Sequence, residues 1–488
     1  VLVHEMVHAF QYNNIINGDS TSLQSLANTP LWMIEGMAEY FSLGNKDPFT
    51  AMWMRDAVLQ GDVPGFKQLE NPRYFPYRYG QAFWAFLAGM YGDDVIRPMF
   101  VNTAIYGIET ASAITLGVTA DQLSERFQNA LRTYYDPFLG DKKERLIGRE
   151  LVSAKNGGRI NVSPVLSPNG KYIIFLSEKD LFSTDLYLAD ATSGKIIRKV
   201  LSTTKEGHLD DLNYLESSGT WSSDSKQFAT IAYKKGVHAL IIKDVASGRT
   251  KEEIQFKEVP AFANPAWSPD GKSIVFAGLA QGQTDLYEYV LKSKKLKRLT
   301  NDIYSEIQPN WSTDGKSIVY ATDKLSMDRG RKHGKYTMNL AILSKGADGE
   351  LASGTTKDLD FFYGANNLNP EHDDDGNIYF LSDKDGFRNM YRYELSDDKV
   401  YQMTDFLSGI SGITEYSPAL TVSRKKDKIV YSYYSKNSFS IYSAGQDRFL
   451  NRPVVDVNAI DMAPGTLPMT NLGQKDIVAD NLSKVDGY

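Results

Sequence analysis

The 488-residue sequence contains no cysteine. That excludes thiol catalysis, disulfide bridges and cysteine-held zinc, so any metal must be bound by histidine and carboxylate. Histidine is itself scarce, with six in the chain. No run of apolar residues is long enough to cross a bilayer as a helix. An excess of basic charge is also missing: 54 Lys and Arg stand against 60 Asp and Glu, a net charge of −6, which argues against nucleic acid as a partner. What is present, 42% hydrophobic, 12% aromatic and 23% charged residues, is the composition of an ordinary folded protein. Its length predicts about two to four domains.

Two textures meet near residue 150. Before it, apolar residues recur at helical spacing: Val3, Val7 and Phe10, then Leu31, Ile34, Met37, Ala38 and Phe41, then Ala82, Phe83, Phe86 and Leu87. After it come short alternating strands closed by Pro, Asp, Asn and Gly turns. The predicted fold is therefore multidomain, with a mainly α domain over 1–150, an all-β domain over 151–451, and a linker or tail over 452–488.

The β part repeats. Ser167-Pro-Asn-Gly-Lys171, Trp221-Ser-Ser-Asp-Ser-Lys226, Trp267-Ser-Pro-Asp-Gly-Lys272 and Trp311-Ser-Thr-Asp-Gly-Lys316 are copies of one motif, with weaker copies at 373–377 and 423–428. Each copy is a tight turn leading into an apolar strand, followed in two copies by Asp-Leu-Tyr, at Asp185 and Asp285. Six copies at this spacing predict a six-bladed propeller of four-stranded blades. Asp323–Lys335, with Arg329, Arg331, Lys332 and His333, reads as an insertion on one rim. The acidic clusters at Asp373-Asp374-Asp375-Gly376 and Asp383-Lys384-Asp385-Gly386 read as turn chemistry rather than calcium sites.

The sharpest motif is His4-Glu5-Met6-Val7-His8. On a helix, His4 and His8 project from one face and can ligate one zinc ion, with Glu5 beside them as general base. A plain helix carrying two histidines is the competing reading. Catalytic zinc needs a third protein ligand, and the helical stretch Leu31-Trp-Met-Ile-Glu35-Gly-Met-Ala-Glu39-Tyr40 supplies a carboxylate at Glu35.

Together, His-Glu-x-x-His and Trp-x-x-Glu-Gly-x-Ala-x-Tyr resemble the gluzincin zinc peptidases of the aminopeptidase-like (peptidase MA) group, over about residues 1–140. The resemblance implies a zincin-like fold whose N-terminal β region lies ahead of Val1, Zn2+ on His4, His8 and Glu35, and Glu5 as base. It also implies a supporting role for Glu39, which would orient a ligand histidine. Gln11 shares the histidine face and is a second such candidate; for both, a solvated helix residue is the alternative. Members of this group use a tyrosine in a Tyr-x-x-Gly pattern to stabilise the oxyanion, and Tyr77-Arg-Tyr-Gly80 nominates Tyr77, with Tyr79 as the alternative.

The Ser-Pro-Asp-Gly-Lys and Asp-Leu-Tyr repeats are similar to TolB-type propellers. Prolyl oligopeptidases also carry such propellers, but the Gly-x-Ser-x-Gly of their hydrolase domain is absent here. The two resemblances imply a zinc metallopeptidase acting on a peptide or protein substrate, with a propeller that docks substrate or envelope partners. They further imply a bacterial periplasmic or envelope location, with a signal region upstream and more sequence at both ends. The alternative is a catalytically idle peptidase-like chain serving as a propeller-based assembly module.

Overall fold

The computed structural model describes residues 2–16, 25, 27–140, 142–180, 183–204, 209–212, 219–331, 336–423 and 428–468. The chain divides into two compact units. One holds the residues up to Glu144 with Asp385–Phe387 and the described residues from Asp461 on; the other holds Arg145–Lys384 and Arg388–Ile460. Among the described residues no helix is long and apolar enough to cross a membrane.

The first unit is helical: α1 (Leu2–Ile16), α2 (Leu31–Leu43), α3 (Pro48–Leu59), α4 (Phe66–Leu69), α5 (Pro76–Tyr91), α6 (Ile96–Leu116) and α7 (Ala120–Leu139). Local chemistry sets the starts of several of these helices. Asp47 caps α3 by accepting from the Phe49 and Thr50 amides, Pro48 and Pro76 open α3 and α5, and Thr119 with Gln122 forms a capping box on α7. The centre of the unit is α5, whose run from Tyr79 to Gly89 is buried.

Helices α2 and α5 cross at two glycines. A Cβ on Gly80 would fall on the Trp32 carbonyl oxygen, and one on Gly36 would fall on the backbone of Gly80, with the Gln81 amide 2.7 Å away. Only glycine permits this approach. It sets Glu35 and Glu39 on α2 against Tyr77 and Arg78 on α5.

The apolar spacing of α1 does not mark its buried side. Val3 and Phe10 are 54% and 62% exposed, whereas Gln11 and Ile15 are buried. The inward face is the one that carries His4, His8, Gln11 and Ile15.

The second unit is a six-bladed propeller. Blades 1 to 5 open with strands Asn161–Leu166, Leu209–Leu212 with Thr220–Trp221, Ala261–Trp267, Glu306–Trp311 and Asn367–His372, and each continues outward as an antiparallel meander. Blade 6 combines Leu420–Val422, Ile429–Ser435 and Ser438–Ala444 with Arg149–Val152 from the start of the unit. This closure corrects the expected boundary at 150. Arg149–Val152 pairs with a strand some 290 residues later, so the propeller begins at Arg145.

The segment expected as a linker or tail is divided as well. Arg452–Pro453 adds a fifth strand to blade 5 beside Lys399–Gln402. Farther on, the Leu467 amide donates to the Asn45 carbonyl at 2.7 Å and the Tyr135 hydroxyl to the Thr466 carbonyl at 2.9 Å, which makes these residues part of the helical unit.

The repeated turn has one chemistry. In four blades a serine hydroxyl donates to the Asn or Asp two residues on, at 2.7–2.8 Å, and that same side chain accepts from the following lysine amide at 3.0 Å: Ser167–Asn169, Ser222–Asp224, Ser268–Asp270 and Ser312–Asp314. In blade 5 Asp373 stands at the serine position and accepts from the Asp375 and Asn377 amides. The insertion at 323–335 lies between the second and third strands of blade 4 and contains a short helix, Lys324–Arg329; Lys332 and His333 lie outside the described residues.

The blades are tied to one another by side chains on the inner strands. The Trp221 indole donates to the Val165 carbonyl (3.1 Å), the Trp267 amide to Thr220 (3.2 Å), the Gln308 amide to Asn264 (3.3 Å) and the Asn369 amide to Gln308 (2.6 Å). Asn369 then accepts from the Ala419 and Leu420 amides at 2.7 and 2.8 Å, and the Leu166 amide returns to Thr421 at 3.3 Å. These bonds close the circle across all six interfaces. Asn264, Gln308 and Asn369 reach their neighbours because each sits at a bulge with φ of 52–54° and is followed by proline.

Candidate functional site

Helices α1, α2 and α5 bring together the residues that the sequence singles out. His4 Nε2 lies 3.2 Å from Glu35 Oε2 and 3.2 Å from His8 Nε2, and His8 Nε2 lies 3.3 Å from the same Glu35 oxygen. The three side chains are 12, 15 and 16% exposed. Among the described residues this is the one group of three His, Asp or Glu side chains whose donor atoms converge in this way.

The surroundings orient both rings. The Gln11 amide nitrogen donates to the Ile34 carbonyl at 2.8 Å, so its oxygen faces His8 Nδ1, also at 2.8 Å, and accepts a proton from it. Glu39 Oε1 lies 3.1 Å from His4 Nδ1 and can only accept. Each ring therefore directs its Nδ1 outward to Gln11 or Glu39 and its Nε2 toward Glu35. Two imidazole nitrogens and a carboxylate oxygen then face one another, a donor set that can hold a cation in exchange for protons.

The spacing is compatible with zinc. Zinc bonds of about 2.0–2.1 Å in tetrahedral geometry separate the ligand atoms by about 3.3–3.4 Å, close to the observed edges of 3.2, 3.2 and 3.3 Å. Neutral imidazole and carboxylate are also donors that suit this ion.

Glu5 follows His4 on α1 and is exposed. Its charge is felt at Tyr77, whose ring stacks on His4 with centroids 5.8 Å apart and planes at 22°. The Tyr77 hydroxyl is bonded to Glu35. Burial first, then the charge and hydrogen bond of Glu35, then Glu39 and Glu5, raise its pKa above the ordinary tyrosine value, so it is a hydrogen donor across the physiological range. Tyr79, the alternative, is 1% exposed and packs edge-on against Tyr74 with centroids at 5.5 Å, in the core and away from the centre.

Sequence reasoning missed Arg78. Its guanidinium donates to Glu39 Oε2 at 3.0 Å and to Thr50 at 3.2 Å, and it lies over the Phe49 ring. Thr50 in turn joins Asp47 and the fully buried Gln81. Glu39 is thus held on two sides, by Arg78 and by His4. The available signal was an arginine and a glutamine in the first turns of an otherwise apolar helix.

Comparison with known proteins adds to this picture. Residues 1–125 match the family model described as peptidase of plants and bacteria, and residues 205–339 match that of the TolB beta propeller domain. The chain is 27% identical over 197 residues to the Tol-Pal system protein TolB of Ruthia magnifica, covering 39% of this chain and 45% of that protein. It is 28% identical over 147 residues to dipeptidyl-peptidase 5 of Porphyromonas gingivalis, covering 28% of this chain and 20% of that one. The chain thus spans less than half the length of the curated relatives it matches. The crystal structure of TolB from Acinetobacter baumannii aligns with 19% identity and a TM-score of 0.42 over 70% of this chain and 72% of that one. The helical unit carries a match to a peptidase family, and the second unit is a TolB-type six-bladed β-propeller.

Proposed function

We propose that the helical unit is a zinc metallopeptidase centre of gluzincin type. The observation that carries this reading is the convergence of His4 Nε2, His8 Nε2 and one Glu35 oxygen at 3.2–3.3 Å, with the outer ring nitrogens facing Gln11 and Glu39. His4, His8 and Glu35 would hold the ion. Zinc bound there supplies Lewis acidity and makes water nucleophilic near neutral pH.

The remaining chemistry belongs to the chain's own side chains. Glu5, the exposed carboxylate that follows His4 on α1, accepts a proton from water as the water oxygen bonds to the peptide carbonyl carbon. The carbon–nitrogen bond then breaks and Glu5 passes the proton to the departing amine. Tyr77 donates a hydrogen bond to the oxygen on which negative charge develops. Gln11 and Glu39 orient both imidazoles through their Nδ1 atoms, and Arg78 fixes Glu39 beside His4.

The propeller is a docking module for a peptide or protein substrate or for envelope partners, and the chain works in a bacterial periplasm or envelope. Relatives called Tol-Pal system protein support this reading.

Metal analysis and peptide cleavage by the purified chain test the proposal together. One zinc per chain is expected, lost in His8→Ala. Glu5→Gln is expected to keep zinc and lose at least about 100-fold in turnover. A metal-free protein, or a Glu5→Gln variant with full activity, ends the proposal.

A further inference from the structure

The ring contacts at the centre continue past Tyr77. His4 and Tyr77 are 5.8 Å apart at 22°, Tyr77 and Phe75 5.0 Å at 29°, and Phe75 and Trp53 5.7 Å at 30°. Four rings therefore form one row of near-parallel neighbours beginning at a candidate ligand imidazole. Trp53, at the far end, is 8% exposed, yet Phe75 between them is 40% exposed. Elsewhere on α5, Phe83 and Phe86 are fully buried.

Phe75 is also fixed in place. It occupies the cap position of α5 in extended conformation, φ −65° and ψ 116°, and the Pro76 that follows restricts it there. A stiff, half-exposed ring next to the reacting groups costs hydration unless something apolar covers it.

The charges nearby limit what that can be. Glu5, Glu35 and Glu39 are all close enough to act on Tyr77, and the nearest cation, Arg78, is bonded to Glu39. An acidic side chain is repelled there; of the apolar and basic side chains that remain, the exposed Phe75 ring backed by the buried Trp53 favours the apolar.

We propose that Phe75, backed by Trp53 and continuous with Tyr77, is the platform for a bulky apolar side chain of the peptide, aromatic for preference, at the residue beside the bond presented to Glu5. The claim that the ligand is a peptide rests on the peptidase reading above. Phe75 has no proton to give or take and is a specificity-determining residue. One aromatic contact of this kind is worth about 2- to 12-fold in affinity.

The test is calorimetric binding of three blocked tripeptides, acetyl-Ala-Phe-Ala-amide and its Leu and Ala counterparts at the middle position. The zinc-loaded full chain is used in the Glu5→Gln background so that the probes are not consumed. The Phe peptide is expected to bind about 10-fold tighter than the Ala peptide, and Phe75→Ala is expected to bring that ratio close to one. Phe75→Leu, which keeps an apolar side chain at the site, guards against misfolding; it should retain the preference for Leu over Ala and lose that for Phe over Leu. No discrimination by the parent, no binding of any probe, or an unchanged ratio in both variants overturns the proposal. Cleavage by the wild-type chain separates the two claims. Selective binding without cleavage ends the peptidase reading and keeps the platform; cleavage without selectivity does the reverse.

Discussion

One polar cluster of the propeller and one of the helical unit are built in different ways. Around the propeller, Asn264, Gln308 and Asn369 each accept from backbone amides of the next blade, so that donor meets acceptor at every step. At the helical centre, two ring nitrogens of His4 and His8 and one Glu35 oxygen converge on one point at 3.2–3.3 Å. A satisfied network is architecture and rigidifies the fold. A convergent donor set whose outer partners are all in place can exchange protons for a metal ion, and for that reason it is a candidate for function.

The most damaging way to break this comparison is to separate the helices that hold the centre. Gly80→Ala places a methyl group on the Trp32 carbonyl. It should cost about 3 kcal/mol or more, seen as loss of helical circular dichroism and of bound metal while the β-rich transition of the propeller persists. On the other side, Asn369→Ala leaves the Ala419 and Leu420 amides buried without an acceptor. It should cost the propeller about 2–4 kcal/mol in denaturant unfolding and leave metal content unchanged.

A third variant probes a polar cluster inside the propeller. Glu306 is 2% exposed, and burial, with the charges of Asp302 and Asp285 adding, pushes its carboxyl up to about 9, while its bond to Thr300 at 3.0 Å opposes the rise. Because the folded state holds this proton more tightly than the unfolded chain does, stability is greatest below the ordinary carboxylate range and is lost as pH rises from there toward 9. Glu306→Gln keeps the neutral shape, so the fall in melting temperature between pH 5 and pH 9 should be smaller in the variant than in the parent.

The smallest expected effect sharpens the contrast most. Glu35→Gln puts an N–H where a third acceptor now stands. In the presence of a chelator it should change stability by no more than about 1 kcal/mol, because the amide keeps the shape and an acceptor for Tyr77, although the same change abolishes metal binding. A chelator-treated Glu35→Gln protein destabilised well beyond that would show that Glu35 holds the helices together without a metal.

Much of this was legible in the order of residues, for identifiable reasons. The turn chemistry of blades 1 to 5 is local, lying within five residues of a serine or its replacement Asp373, so it repeats visibly along the chain, while 424–427 of the copy at 423–428 lie outside the described residues. His4 and His8 are one helical turn apart, and their spacing alone puts them on one face. The Asn-Pro and Gln-Pro pairs at 264, 308 and 369 were equally visible, but their role depends on the next blade rather than on their own strand. Arg149–Val152 carries no repeat and gives no sign of the strand it joins at Ser438–Ala444. The helical spacing of Val3, Val7 and Phe10 misleads about the buried side of α1, because the face with the histidines is the one packed on α2.

The sequence by itself determined the repeat, the turns, and the kinds of atom available for a metal, because each depends on contacts a few residues apart. Only the tertiary structure decided how those atoms are used. Two glycines, 44 positions apart, let α2 and α5 touch. That contact brings the Glu35 oxygen to the histidines and Arg78 to Glu39, while Gln11 and Glu39 orient the two rings. Orientation and convergence are properties of neighbours in space, and those neighbours exist only once the helices have crossed.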